Sequence, residues 1–123
     1  MHVACRQCST RLSNDLQLIS ASERNAADGE DFLPIGTVIQ EDGTYFHGRS
    51  GEFIVNLGDV VNVHLTTDFH RLNGCCGLDG CDGPNLQCDT CGIYVATKMT
   101  DCWQPRCAVF DPTSTTQVLE QST

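Results

Sequence analysis

The chain has 123 residues, seven Lys and Arg against sixteen Asp and Glu, and a formal net charge of −9. This length argues for one domain with a modest core, and an apolar share of 40% is too high for a disordered chain. The excess of acidic residues disfavours partners that proteins bind through clustered Lys and Arg, namely nucleic acids and anionic membrane surfaces. We therefore expect a single folded domain that binds neither nucleic acid nor membrane.

The cysteine content has to be interpreted together with the expected compartment. No stretch approaches the roughly 18 apolar residues of a membrane helix, and the N-terminus lacks the apolar region of a signal peptide. These features predict a cytoplasmic protein. In a reducing compartment the nine cysteines favour metal ligation or reactive thiols over a framework of disulfides, and an odd number cannot be fully paired.

Short apolar segments separated by turn residues run along the chain and predict a mainly-β fold of antiparallel strands. In chain order, the predicted strands and extended segments cover 10–20, 32–40, 52–57, 60–66, 93–96 and 107–110. Within the first, Leu16 and Leu18 alternate onto one face, and in the fourth Val61, Val63 and Leu65 do the same. Between the second and the third, Asp42-Gly43 is a hairpin signal.

Three further segments are predicted to lack regular structure. Residues 21–31 are polar and indicate an exposed loop. Residues 73–85 contain four glycines and a proline, which is typical of an irregular loop and of the loops that often carry a site. Residues 113–123 are rich in Thr, Ser and Gln, so we predict a flexible tail after a domain that spans 1–112.

Two Cys-x-x-Cys pairs stand about 80 residues apart, at Cys5/Cys8 and at Cys88/Cys91. Two residues between the thiolates allow a tight turn to aim both sulfurs at one tetrahedral ion, and zinc is the usual occupant of a site with four such sulfurs. The separation is no obstacle, because loop-closure entropy grows only logarithmically with length. We predict one structural Zn²⁺ held by all four cysteines; the competing hypothesis is that each pair is a redox dithiol.

The arrangement resembles the β-tent zinc folds, in which two distant knuckles flank a β-rich middle. Here Cys88-Asp89-Thr90-Cys91-Gly92 is followed by a strand, by Trp103 and by a final strand. That group includes B-type methionine sulfoxide reductases, a family of guanine-nucleotide-exchange chaperones and cereblon-type thalidomide-binding domains. The resemblance implies a β-tent-like domain with a structural zinc ion.

The specific activities of those families do not carry over. The reductases place a catalytic Cys in an Arg-x-Cys-x-Asn context, whereas here Cys107 follows Arg106 directly and no Asn lies two residues later. The cereblon-type domains build a ligand cage from several Trp, and this chain has only Trp103, which we predict to be a core anchor beside the knuckle.

The remaining cysteines are Cys75, Cys76, Cys81, Cys102 and Cys107. They can be small buried hydrophobes, or part of a second metal site completed by His64 or His70. They can also supply a reactive thiol, with Cys75 or Cys76 as nucleophile and Cys102 or Cys81 as the resolving residue. A direct bond between the adjacent Cys75 and Cys76 is disfavoured by strain.

Two function classes compete, and a metal-storage or metal-sensing role is a third that would be favoured only if more than one ion binds. The first is a binding module that recognises a protein or small molecule through a surface near the Gly/Cys-rich loop, which we define as residues 73–85. The second is a thiol-dependent oxidoreductase that uses Cys75, Cys76 or Cys107. A fast-alkylating thiol at neutral pH would favour the second class, whereas slow, uniform modification would favour the first.

Overall fold

A computed structural model describes residues 1–25, 27–40 and 51–119. The described part contains nine strands and three short 3₁₀ turns, at Ala21–Glu23, Leu57–Asp59 and Phe69–Arg71. In chain order the strands are β1 (His2–Cys5), β2 (Gln17–Leu18), β3 (Thr37–Gln40), β4 (Phe53–Val55), β5 (Val63–Leu65), β6 (Leu86–Cys88), β7 (Tyr94–Met99), β8 (Cys107–Phe110) and β9 (Thr115–Val118). The predicted mainly-β single domain is therefore confirmed.

The strands form two sheets. Strands β1 and β9 make an antiparallel pair, and the other seven form a sheet in the order β2-β3-β4-β8-β7-β6-β5. Among the described strands of the larger sheet, β2 and β3 pair in parallel, and the other neighbouring strands are antiparallel, as predicted. Among the described residues no helix is long and apolar enough to cross a bilayer.

The larger sheet is apolar on both faces because alternate residues of its central strands enter two separate cores. Val38, Val55 and Phe110 point into the core that also contains Cys5 and Cys88. Their neighbours Ile39, Ile54 and Val109 point into the second core, together with Cys107. The period of two in strand side chains thus places Cys107 on the opposite face of the sheet from the Cys-x-x-Cys pairs.

Four of the predicted segments form shorter strands than expected, namely 10–20, 32–40, 52–57 and 60–66. The segment 60–66 is a strand only at Val63–Leu65, because Asn62 adopts a left-handed backbone with φ 58°. Its side-chain amide donates to the Arg11 carbonyl at 2.8 Å, which anchors this break. The segment 10–20 contributes only Gln17–Leu18, and the shared face predicted for its leucines is wrong, since Leu16 is buried and Leu18 is 56% exposed.

The segment predicted as a flexible tail instead contributes a strand over Thr115–Val118, paired with β1. Its Thr-rich composition suits a strand on a partly exposed surface, where the backbone supplies the bonds. The Gly/Cys-rich loop has no regular element, as predicted. The Asp42-Gly43 hairpin lies outside the described residues.

Candidate metal centre

The two Cys-x-x-Cys pairs meet in space. The sulfurs of Cys5, Cys8, Cys88 and Cys91 all lie within 4.8 Å of one another, in a group that could hold a metal ion. We call this group the cysteine tetrad. Cys5 and Cys88 are buried, and Cys8 and Cys91 are half-buried. The tetrad therefore adjoins the core and has one side towards solvent.

The two halves of the tetrad have the same backbone hydrogen bonds. Each begins at the last residue of a strand, with Cys5 ending β1 and Cys88 ending β6. The carbonyl of this first cysteine accepts the N–H four residues later, from Ser9 or from Gly92, at 2.9 Å in both halves. Its own N–H donates to the carbonyl five residues later, of Thr10 at 2.8 Å or Ile93 at 2.9 Å. Two short sequences thus fold into equivalent knuckles.

The equivalence extends to an unusual backbone conformation. Ser9 has φ 63° and Gly92 has φ 79°, both in the left-handed region that L side chains rarely adopt. Glycine takes this conformation without cost, whereas serine does not. The conformation lets the chain turn back after the second cysteine of each pair.

The sulfur spacing fits a tetrahedral ion. The sulfurs of Cys5 and Cys91 are 3.6 Å apart, as are those of Cys8 and Cys88. Zinc–sulfur bonds of about 2.3 Å in a tetrahedron separate the sulfurs by roughly 3.8 Å. Each short pair takes one sulfur from each knuckle, so both knuckles face one common centre.

The protonation chemistry of the tetrad also calls for a cation. The hydroxyl and the backbone N–H of Thr10 lower the pKa of Cys8 to about 6. The N–H of Ile93 favours the Cys91 thiolate in the same way, yet burial and the neighbouring cysteines raise the pKa of Cys91 to about 12. Like charges at this distance disfavour a Cys91 thiolate beside a Cys8 thiolate unless a positive ion compensates them.

The tetrad joins the two sheets, since Cys5 belongs to the two-stranded sheet and Cys88 to the seven-stranded one. A side-chain hydrogen bond supports this junction, because the hydroxyls of Thr10 and Thr90 are 2.8 Å apart, one in each half. Within the two-stranded sheet, the guanidinium of Arg6 donates to the carbonyl of Thr115 at 2.9 Å, which ties the first knuckle to β9.

Four of the other five cysteines are exposed, so the hypothesis that they are all buried hydrophobes is wrong. Cys76 and Cys102 form a disulfide with Cα atoms 6.0 Å apart, and both residues are exposed. Cys75 and Cys81 are exposed free thiols. Only Cys107 is buried, where desolvation raises the pKa of its thiol to about 12.

The structure does not assemble the second metal site considered from the sequence. Instead, the ring of His64 lies 2.7 Å from the Asp89 carboxylate, and that of His70 lies 3.2 Å from Asp68. Within the described ranges the other group with ligand-like spacing is Cys76, Asp101 and Cys102. Its two sulfurs are bonded to each other, which removes them as metal ligands.

Asp101 is a residue that the sequence reasoning missed, and it organises the disulfide region. Its carboxylate accepts the backbone N–H groups of Cys75 at 3.0 Å, Cys76 at 3.3 Å and Cys102 at 2.8 Å. Burial disfavours the charge, but these bonds outweigh it and lower the pKa of Asp101. The sequence does show an Asp before Cys-Trp in a turn. Its spacing does not show that residues 75–76 pack against this Asp.

Trp103 is not the core anchor that its neighbourhood in the sequence predicts. Its side chain is 54% exposed, and the indole N–H donates to Asp101 at 2.7 Å. The ring is thus fixed at one edge, and about half of the residue is exposed to solvent. Trp103 lies in the turn that follows β7, whereas Cys91 precedes β7. The six residues of β7 place its two ends about 17–20 Å apart, so Trp103 is not beside the knuckle.

Comparisons with protein-family models, with curated proteins and with solved structures returned no match to this chain.

Proposed function

We propose that the chain is a zinc-stabilised β module whose cysteine tetrad holds one structural Zn²⁺. The observation that carries this proposal is the convergence of four sulfurs from two equivalent knuckles. Four protein ligands leave no open coordination position for a substrate or a reactive water, which is the pattern of structural rather than catalytic zinc. The likeness to β-tent folds stays part of this proposal, supported by the two knuckles around a β-rich middle.

The choice of zinc is testable against iron, which also suits four tetrahedral thiolates. We expect purified protein, refolded with equimolar Zn²⁺ and Fe²⁺ under anaerobic conditions, to retain zinc. Replacing the ion with Co²⁺ should give the intense visible and near-ultraviolet absorption of tetrahedral cobalt thiolate. Retention of iron alone, or an octahedral cobalt spectrum, would contradict a zinc site of this geometry.

The module's role, we propose, is recognition of a protein or small molecule in the cytoplasm. Support comes from the surface formed by Trp103 and the Gly/Cys-rich loop. Trp103 offers a large aromatic face whose orientation is fixed by Asp101, so little side-chain entropy would be lost on binding. Aromatic residues of this kind dominate the binding energy of many interfaces. The acidic composition supports the expectation that nucleic acid and membranes are not partners.

A displayed random peptide library, panned against the zinc-loaded protein, tests this role. We expect selected peptides to lose at least tenfold in affinity for Trp103→Ala. The matched control is Leu18→Ala, which removes a side chain of similar exposure, 56% against 54%, from edge strand β2. Failure to select any binder, or equal affinity for both variants, would count against recognition at Trp103.

A thiol-dependent oxidoreductase is the second candidate, favoured by the exposed Cys76–Cys102 disulfide. Cys107 gives this candidate no support, because it is buried on the far face of the sheet with a raised pKa. Timed iodoacetamide labelling at neutral pH distinguishes the two classes. An enzyme of this type requires one rapidly alkylated thiol after mild reduction, whereas the recognition module predicts similar slow rates for Cys75 and Cys81.

A further inference from the structure

The Cys76–Cys102 disulfide is exposed, and hydrogen bonds also hold together the two segments that it joins. The bond joins the Gly/Cys-rich loop to the turn after β7, across 26 residues. Both of its residues are exposed, so the disulfide lies at the protein surface, where small thiols can approach it. Exposed disulfides are typically the labile or regulatory ones, because access controls the rate of thiol attack.

The first anchor that would remain after cleavage is Asp101. Its carboxylate accepts the N–H groups of Cys76 and Cys102 simultaneously, at 3.3 and 2.8 Å. It also accepts the N–H of Cys75. Because Asp101 is fully buried and its pKa is lowered, the carboxylate stays charged at neutral pH and keeps these bonds. Both cysteine backbones are therefore held together by a group that the redox state does not change.

A second set of bonds holds the next part of the loop. The carbonyl of Leu78 accepts the backbone N–H groups of Thr100 at 2.9 Å and Asp101 at 3.0 Å. The N–H of Leu78 donates to the Thr100 hydroxyl at 3.0 Å. The side chain of Gln104 donates to the carbonyl of Asp79 at 3.1 Å. Cleavage of the disulfide thus leaves the loop docked and the two thiols close enough to rejoin.

From this geometry we propose that Cys76–Cys102 is a reversible thiol–disulfide exchange site for low-molecular-weight thiols of the glutathione class. Its opening frees the Cys102 side chain next to Trp103 while the hydrogen bonds to Asp101 keep the loop docked, and this local change tunes the surface assigned above to recognition. The exchange itself is independent of the proposed function, and only the effect on recognition rests on it.

The exchange balances as two successive displacements. A thiolate of the first glutathione attacks the sulfur of Cys76, a new sulfur–sulfur bond forms, and the bond to Cys102 breaks with its electron pair on Cys102, which then takes a proton. A second glutathione thiolate attacks the glutathione sulfur of that mixed disulfide and releases Cys76. Overall, the protein disulfide is reduced to two thiols, and two glutathione molecules are oxidised to one glutathione disulfide.

The position of Asp101 predicts which sulfur is attacked first. An oxygen of its carboxylate lies 3.3 Å from the sulfur of Cys76. In the displacement the negative charge concentrates on the attacking and leaving sulfurs, and the central sulfur carries the least. The sulfur of Cys102 also lies within 4.8 Å of the carboxylate. Attack at Cys76 keeps the least charged sulfur at the 3.3 Å position, whereas attack at Cys102 would expel a thiolate there.

The first test equilibrates the zinc-loaded protein in buffers of defined ratio of glutathione to glutathione disulfide, followed by acid quenching, alkylation and mass spectrometry. We expect the Cys76–Cys102 pair to pass from oxidised to reduced and back along one curve, with the bound metal unchanged. Trp103 is the single tryptophan of the chain, so its emission should change along the same curve. A pair that stays oxidised at every ratio, or that cannot reoxidise, would overturn the proposal.

Variants then separate the roles of the residues. Cys75→Ser and Cys81→Ser remove neighbouring exposed thiols and should leave the curve unchanged within about twofold. Asp101→Asn keeps the side-chain size but loses the carboxylate charge, so the disulfide should be reduced at a glutathione ratio at least tenfold less reducing. A reduction curve for Asp101→Asn that coincides with the wild-type curve would contradict the positioning role of Asp101.

The site of the first attack is read from the trapped mixed disulfide. Peptide mapping after a short glutathione pulse should place the adduct on Cys76 in at least ninefold excess over Cys102. A predominant adduct on Cys102 would overturn the assigned direction. The library binders selected above can then be tested on oxidised and reduced protein. Equal binding would refute the effect on recognition while leaving the exchange result standing.

Discussion

At the scale of single residues, the left-handed backbone of the knuckles is the clearest case of a residue type required by conformation. Gly92 and Ser9 occupy equivalent positions, with φ 79° and 63°. A Cβ added at Gly92 would meet no atom within 4 Å, so any cost of a larger residue there comes from the backbone alone. Substitutions at the two positions should therefore change the free energy of unfolding in opposite directions.

We expect Gly92→Ala to lower the free energy of unfolding by about 1–2 kcal/mol, the cost of a left-handed L residue. Ser9→Gly should instead raise it by up to about 1 kcal/mol, because relief of strain exceeds the added freedom of the unfolded chain. Urea unfolding of the metal-loaded variants measures both. Equal losses in the two variants would show that the knuckles are not equivalent.

Cys107 gives a pH-dependent prediction at the same scale. Burial raises the pKa of its thiol to about 12 from an ordinary value of 9.0, so the folded protein keeps the proton that the unfolded chain loses. Stability from this group is complete below pH 9 and is lost as the pH rises towards 12. Relative to Cys107→Ala, we expect the wild type to lose about 1.4 kcal/mol between pH 7 and pH 10. Parallel stability profiles for the two proteins would contradict a buried neutral thiol.

At the scale of elements, the short strands position the proposed metal ligands, because two of them end at a cysteine of the tetrad. Strand β1 ends at Cys5, and β9 holds β1 in place through the register from His2↔Val118 to Cys5↔Thr115. The chain after Pro112 is therefore part of the support of the first knuckle. Its composition alone does not reveal this, because a polar Thr-rich strand is recognised only through its partner.

Truncation after Pro112 should accordingly destabilise the metal-loaded protein by on the order of 2–4 kcal/mol, roughly the sum of the lost β1–β9 hydrogen bonds. A chain that ends at Leu119 retains β9 and is the matched control, with an expected change below about 0.5 kcal/mol. Thermal unfolding monitored by circular dichroism compares the two. An unchanged transition in the shorter chain would show that β9 does not support the knuckle.

At the scale of the whole molecule, the sequence predicts features that rest on motifs and misses those that depend on contacts between distant segments. The strand class was predictable because two-residue alternation is a local pattern. The closeness of Cys5, Cys8, Cys88 and Cys91 was predictable because each Cys-x-x-Cys pair supplies two of the four sulfurs that a tetrahedral ion requires. The disulfide was not, because pairing Cys76 with Cys102 depends on how the Gly/Cys-rich loop docks on Asp101. The exposure of Trp103 follows from the same docking.

The tetrad connects the two sheets beside the core that they share, which links stability to the metal. Apparent binding free energies of structural zinc are about 10–16 kcal/mol, whereas small domains are stable by about 5–15 kcal/mol. Loss of the ion is therefore expected to unfold the two-stranded sheet from the rest, if not the entire chain. Chelation should remove structure rather than only an activity.

Native mass spectrometry of the metal content per chain tests the central claim most directly. We predict one zinc ion in the wild type and in Cys75→Ser, which loses an exposed thiol outside the tetrad. Cys8→Ser should lose the ion, with at least a hundredfold weaker zinc binding in a chelator competition. A wild-type chain without metal, or a Cys8→Ser chain that binds zinc as tightly as Cys75→Ser, would contradict the account.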